Sequence, residues 1–98
     1  MYRWIITKDH ISKPYPPYGG ESTIGKWGPS GADLSLTANP VHFSLYDDDN
    51  ICYAEGMLYT TDDAYEVHDP EEVDFSPLNN FGAPMWGCTS IKHNGRWV

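Results

Sequence analysis

Val41-His42-Phe43-Ser44-Leu45-Tyr46, then Asp47-Asp48-Asp49-Asn50, then Ile51-Cys52-Tyr53-Ala54-Glu55-Gly56-Met57-Leu58-Tyr59-Thr60, is the stretch on which the fold turns. Val41, Phe43 and Leu45 alternate with His42, Ser44 and Tyr46 at period two, the repeat of a strand with one buried face. The polar break that follows ends on Asn50, a residue that tolerates the left-handed backbone hairpin loops often need. A β-hairpin over 41–60 follows. Placing Tyr46 opposite Ile51 puts Phe43, Leu45, Cys52 and Ala54 on the buried face, and His42, Ser44, Tyr53 and Glu55 on the other.

Working outward, Tyr2-Arg3-Trp4-Ile5-Ile6-Thr7 is dense in aromatic and β-branched residues and predicts another strand. From Ser12 to Gly31, nine of twenty residues are Pro or Gly, so a long loop is expected, with one short strand over Ser22–Trp27. Ala32 to Ala38 is compatible with a helical turn or a short strand, and Asn39-Pro40 closes it. Asp69-Pro70-Glu71-Glu72 has the cap, proline and acids of a helix start, with room for about one turn. Ser76-Pro77 repeats the pattern, and Gly82 suits a helix end. Cys88 to His93 leads into Asn94-Gly95, a strong two-residue hairpin signal, and Arg96-Trp97-Val98. The expected fold is mainly β (all-β or α+β): one domain over 1–98, a small antiparallel sheet with hairpins at 41–60 and 88–98, and one short helical turn.

Charge is distributed unevenly. Residues 27–91 contain no Lys or Arg but carry twelve carboxylates, −12 against +4 in the remaining 33 residues and −8 overall. Acids without local bases cannot be neutralised by neighbouring pairs, so the domain must present a negative field. The fourteen aromatics, within 40% hydrophobic content, mark a folded chain and are the expected core. The apolar run at Trp4-Ile5-Ile6 is too short for a signal peptide, and no run approaches membrane-spanning length, so a cytoplasmic protein without membrane contact is expected. In that compartment Cys52 and Cys88 are expected as free, buried thiols.

Sharper chemical readings fare poorly. Gly20-Glu21-Ser22-Thr23-Ile24-Gly25-Lys26 matches a phosphate-binding loop except that Trp27 replaces the magnesium-ligating Ser or Thr, and a Pro-rich stretch precedes it where a strand is needed. Asp47-Asp48-Asp49-Asn50 lacks the calcium-loop register, with Leu58 where the closing glutamate belongs, and reads as a solvated hairpin tip. His10, His42, His68, His93 and the two cysteines have no metal-ligand spacing, so a zinc site would need distant segments; no metal, cofactor or catalytic residue is expected. Tyr15-Pro16-Pro17-Tyr18 lacks the spacing and flanking base of a polyproline ligand. Direct nucleic-acid binding is disfavoured, because phosphates require a basic face.

Tyr46-Asp47-Asp48-Asp49-Asn50-Ile51-Cys52-Tyr53-Ala54-Glu55-Gly56, Pro77-Leu78-Asn79-Asn80-Phe81-Gly82-Ala83-Pro84 and Gly87-Cys88-Thr89-Ser90-Ile91, with Asp9-His10-Ile11, resemble a family of small uncharacterised proteins from bacterial genomes, prophages and mobile elements. The resemblance touches about a third of the chain; Asn50 stands where the family tends to have Gly, and Asn80 where it tends to have Asp. It implies a mobile-element setting, in which small acidic proteins often inhibit host defence nucleases. The expected function is a non-enzymatic, acidic protein-binding domain of the anti-CRISPR or anti-restriction kind, occluding a basic nucleic-acid-binding surface. Its expected partner-binding residues are Asp47, Asp48, Asp49, Glu55, Asp62, Asp63, Glu66, Asp69, Glu71, Glu72 and Asp74, with Tyr53, Tyr59 and Tyr65 as anchors. The alternative is a small-ligand or metal-binding domain.

Overall fold

The computed structural model describes residues 1–11 and 22–98. Six strands, β1 (Tyr2–Asp9), β2 (Trp27–Gly28), β3 (Val41–Tyr46), β4 (Cys52–Thr60), β5 (Ser90–His93) and β6 (Arg96–Trp97), form one antiparallel sheet in the order β2-β1-β4-β3-β5-β6. Helices α1 (Ala64–Val67), α2 (Pro70–Pro77) and α3 (Ala83–Trp86) follow β4 in sequence, and α2 packs against β1. The mainly β fold and both hairpins are as the sequence predicts. The Tyr15–Tyr18 segment and the first two residues of the glycine-rich match lie outside the described residues.

The β3–β4 hairpin forms with a different register. Leu45 pairs with Ala54, Phe43 with Gly56 and Val41 with Leu58, and a bulge at the loop end sets Tyr46 opposite Cys52. Phe43, Leu45 and Ala54 are buried and His42, Ser44 and Glu55 face the other way, as expected. Cys52 and Tyr53 exchange sides: the ring of Tyr53 packs edge-on against Trp86 of α3 at 5.9 Å, and the thiol of Cys52 lies on the open face with His10 and Glu55. An extra residue in one strand breaks strict alternation, and the aromatic contact to α3 favours that break. The loop is held by Asp47, whose carboxylate accepts the amides of Asp49 at 2.8 Å and Ile51 at 3.0 Å, while Asn50 adopts the left-handed conformation, φ 60°.

The helical layer is longer than two isolated turns. Asp69 caps α2 by accepting the amide of Glu71 at 2.9 Å, a contact of a kind that contributes about 1 kcal/mol. Pro77 does not start a separate turn but sits inside the helix, where it has no amide to give to the carbonyl of Val73. The hydroxyl of Ser76 donates to that carbonyl instead, at 3.0 Å. The chain then widens into a π-turn over Leu78–Gly82, with the Ala83 amide bonded to the carbonyl of Leu78, before α3 resumes. Among the earlier elements, the strand expected at Ser22–Trp27 shrinks to Trp27–Gly28, and residues 32–38 form turns, neither helix nor strand.

This layer covers one sheet face. Tyr2, Trp4 and Ile6 of β1, Phe43 and Leu45 of β3, Ala54 and Leu58 of β4 and Ile91 of β5 pack with Val73, Leu78, Phe81 and Cys88. Trp4 lies 5.6 Å from Phe81, which meets Trp86 edge-on at 5.0 Å. His93 joins the layers by donating Nε2–H to the carbonyl of Asp74 at 2.8 Å. Both cysteines are free; burial pushes the Cys88 thiol up to about 11, which leaves it an inert core group. The aromatics are not all core: Trp27, Tyr65 and Trp97 are exposed.

Candidate functional site

Among the described residues no helix covers the second sheet face. Strand alternation places Arg3 and Ile5 of β1, Glu55, Met57 and Tyr59 of β4, His42, Ser44 and Tyr46 of β3 and Lys92 of β5 there. Two of its basic groups, Arg3 and Lys92, lie against aromatic rings. Lys92 Nζ sits 5.0 Å from the ring centre of Tyr46 and 4.5 Å from that of Trp97, and Arg3 lies 5.3 Å from the ring of Tyr59. Lys8 pairs across the sheet with Glu55.

Glu55 is the centre of a cluster assembled from two strands, β3 and β4, and the residue after β1. Its Oε2 lies 2.6 Å from His10 Nε2 and its Oε1 2.9 Å from His42 Nε2. An ionised carboxylate only accepts, so both imidazoles present Nε2–H to it. Burial pushes the Glu55 carboxyl up, but the hydrogen bonds from His10 and His42 outweigh it and hold the group below the usual carboxylate range. The thiol of Cys52 completes the group: Cys52 Sγ, a nitrogen of His10 and an oxygen of Glu55 lie within 4.8 Å of one another.

No protein-family model, curated protein or solved structure matches the chain. Its own residues carry the functional reading.

The structure brings some of the predicted partner-binding residues together and parts others. Asp62 and Asp63 in the turn after β4, Glu66 in α1, Asp69 at the cap, and Glu71, Glu72 and Asp74 in α2 gather at the helical end, where Tyr65 is exposed and donates its hydroxyl to Asp74 at 3.1 Å. Asp47, Asp48 and Asp49 occupy the hairpin tip at the opposite end of β4, a strand that spans roughly 26 Å at the usual rise per residue. Glu55 faces the histidines, Tyr53 packs on Trp86, and Tyr59 lies under Arg3, so these three have internal contacts.

Among the described residues no Lys or Arg forms an ion pair; the two carboxylate pairs are those of Glu55 with its histidines. Several acids instead accept from local amides and hydroxyls: Asp33 from Ser35, Asp47 from Asp49 and Ile51, Asp63 from Thr61. The Ile51 amide above all holds Asp47 below the usual carboxylate range, and the Ser35 and Thr61 hydroxyls do the same for Asp33 and Asp63. A depressed folded-state value stabilises the fold above the unfolded value, near pH 3.9, and that contribution is lost as the pH falls through the folded value. The urea midpoint is expected to fall steadily on acidification below about pH 4, with a shallower fall in Asp47→Asn. A midpoint independent of pH in that window would show that these bonds do not bias the titration.

The predictive rules for metal and catalytic motifs look for short spacings, and His10, His42, Cys52 and Glu55 have none. Their signal was in strand pairing: the hairpin puts His42 and Glu55 on one face whichever of the two registers holds. His10 joins them through its amide, bonded to the carbonyl of Tyr53 at 2.9 Å. No helix among the described residues is long and apolar enough to cross a membrane.

Proposed function

We propose that the chain is a small protein-binding domain whose helical end docks on a basic surface of a nucleic-acid-handling protein and keeps phosphates from it. The supporting observation is the set of seven carboxylates from Asp62 to Asp74, none of which pairs with a Lys or Arg among the described residues. An acidic surface lacking internal counter-ions gains most from a partner that supplies them, and such attraction is steep in salt. Tyr65, exposed within this patch, is its aromatic anchor. Inhibition of a host defence nuclease, as by an anti-CRISPR or anti-restriction protein, is the form of this activity that fits the mobile-element setting implied by the sequence resemblance.

The test is capture from a bacterial lysate on immobilised domain at low and high salt, with duplex DNA as competitor. Basic nucleic-acid-binding proteins are expected at low salt, released by salt and by DNA. Glu66→Gln/Glu71→Gln/Glu72→Gln is expected to weaken capture about tenfold, since three exposed charge contacts together are worth roughly 1–2 kcal/mol. Asp48→Asn/Asp49→Asn at the distant tip should capture as the wild type does. Retention of no basic protein at low salt, or equal capture by the triple variant, would overturn the proposal.

A further inference from the structure

The strongest unassigned feature is the cluster on the open sheet face. We propose that His10, Cys52 and Glu55 bind a divalent ion of the zinc class, with His42 positioning Glu55. The three potential ligand atoms already converge to within 4.8 Å of one another. In a tetrahedral zinc site, bonds of about 2.0–2.3 Å place neighbouring ligand atoms roughly 3.5 Å apart, so closure needs a shift of about 1 Å. His10 lies just beyond the end of β1 and is exposed, so little packing opposes that shift.

The donor set selects the ion. One imidazole, one thiolate and one carboxylate suit zinc or cobalt(II), whereas calcium and magnesium require oxygen cages. His42 has a separate role. Its Nε2–H bonds Oε1 of Glu55 at 2.9 Å, leaving Oε2 toward His10. A ligating carboxylate is commonly held in this way, by a hydrogen bond from an outer residue to its other oxygen. The site is half open, with side-chain exposures of 40% for His10, 42% for His42 and 21% for Glu55, so an ion can enter and water can take a fourth position. On binding, Cys52 Sγ forms the new bond and its proton leaves to solvent. The neutral imidazole of His10, which presents Nε2–H to Glu55 in the metal-free protein, exchanges that proton through solvent to Nδ1, so that Nε2 is free to ligate and its hydrogen bond to Oε2 is replaced by the two metal bonds.

This cluster faces away from the helical acidic end, and the proposal stands independently of the docking reading. The experiment uses the full chain stripped with chelator and titrated with zinc(II) and cobalt(II). One zinc per chain is expected after dialysis, and the cobalt form should show a near-ultraviolet thiolate-to-metal charge-transfer band with the intense visible bands of four-coordination. Cys52→Ser should abolish the charge-transfer band, Cys88→Ala should keep it, and His42→Gln should weaken zinc binding 10- to 100-fold, the usual cost of losing an outer-shell partner. Circular dichroism checks that each variant is folded. Failure to retain stoichiometric zinc, or a cobalt spectrum without a thiolate band, would overturn the proposal from the wild type alone. Undiminished zinc affinity in folded Cys52→Ser would do so as well.

Discussion

Gly56→Ala is expected to abolish the cooperative unfolding transition, the largest effect of any single substitution considered. Gly56 lies in the middle of β4, opposite Ile6 on one side and Phe43 on the other. A Cβ there would stand 2.1 Å from the carbonyl oxygen of Ile5 and 2.5 Å from Cζ of Phe43. Neither neighbour can yield cheaply: one is backbone of the adjacent central strand, and the other is a fully buried ring. Relief requires separating β1 from β4, the two strands that supply five of the eight strand residues in the core, so the cost exceeds the 1–3 kcal/mol typical of an overpacked site. Gly87→Ala is the useful comparison. Gly87 has φ 71° but open space around its Cβ position, so it should lose only about 1–2 kcal/mol. Thermal unfolding followed by circular dichroism compares them, and a Gly56→Ala protein as stable as Gly87→Ala would show that the sheet absorbs the methyl group.

Phe43→Ala is expected to cost about 3–5 kcal/mol, a large share of the 5–15 kcal/mol that stabilises most domains. Phe43 has no solvent exposure and lies on the covered face of β3, between β4 and β5. Truncation removes its transfer free energy and leaves a cavity beside Gly56 within the buried core cluster. Urea unfolding measures the loss, and a value below about 1.5 kcal/mol would mean that the helical layer settles into the space. The two positions are coupled. In a Phe43→Ala background Gly56→Ala meets one obstacle fewer, so the double variant should be less destabilised than the sum of the singles.

Alternation at Val41, Phe43 and Leu45, the left-handed residue Asn50 and the Asn94-Gly95 turn made both hairpins legible, because each is a local property of the chain. Asn94 and Gly95 take φ of 50° and 79°, the left-handed pair that such a turn requires. The exchange of Cys52 and Tyr53 was not legible, since its cause is Trp86, which reaches Tyr53 only once the helical layer is docked. Pro77 misled for a related reason. Read locally it starts a new turn, but the Ser76 hydroxyl takes the place of the missing amide at Val73 and the helical path continues.

The acidic helical end was legible as composition, though not its distance from the hairpin tip, which β4 sets. The Glu55 cluster illustrates the reverse. Its histidines and thiol gave no motif, and antiparallel pairing brought them together. An isolated glycine within a strand pattern, as at Gly56, is the one signal that a sequence rule could have caught, because it marks close backbone approach.

Arg3, Lys8 and Lys92 lie on the open sheet face and the carboxylates of Asp62–Asp74 at the helical end, so the two regions differ in the field they present. If the proposed docking on a basic surface holds, that difference would turn the molecule acidic end first before contact and waste fewer collisions. Added salt shortens the range of such steering, so under that proposal it should slow association more than it hastens release.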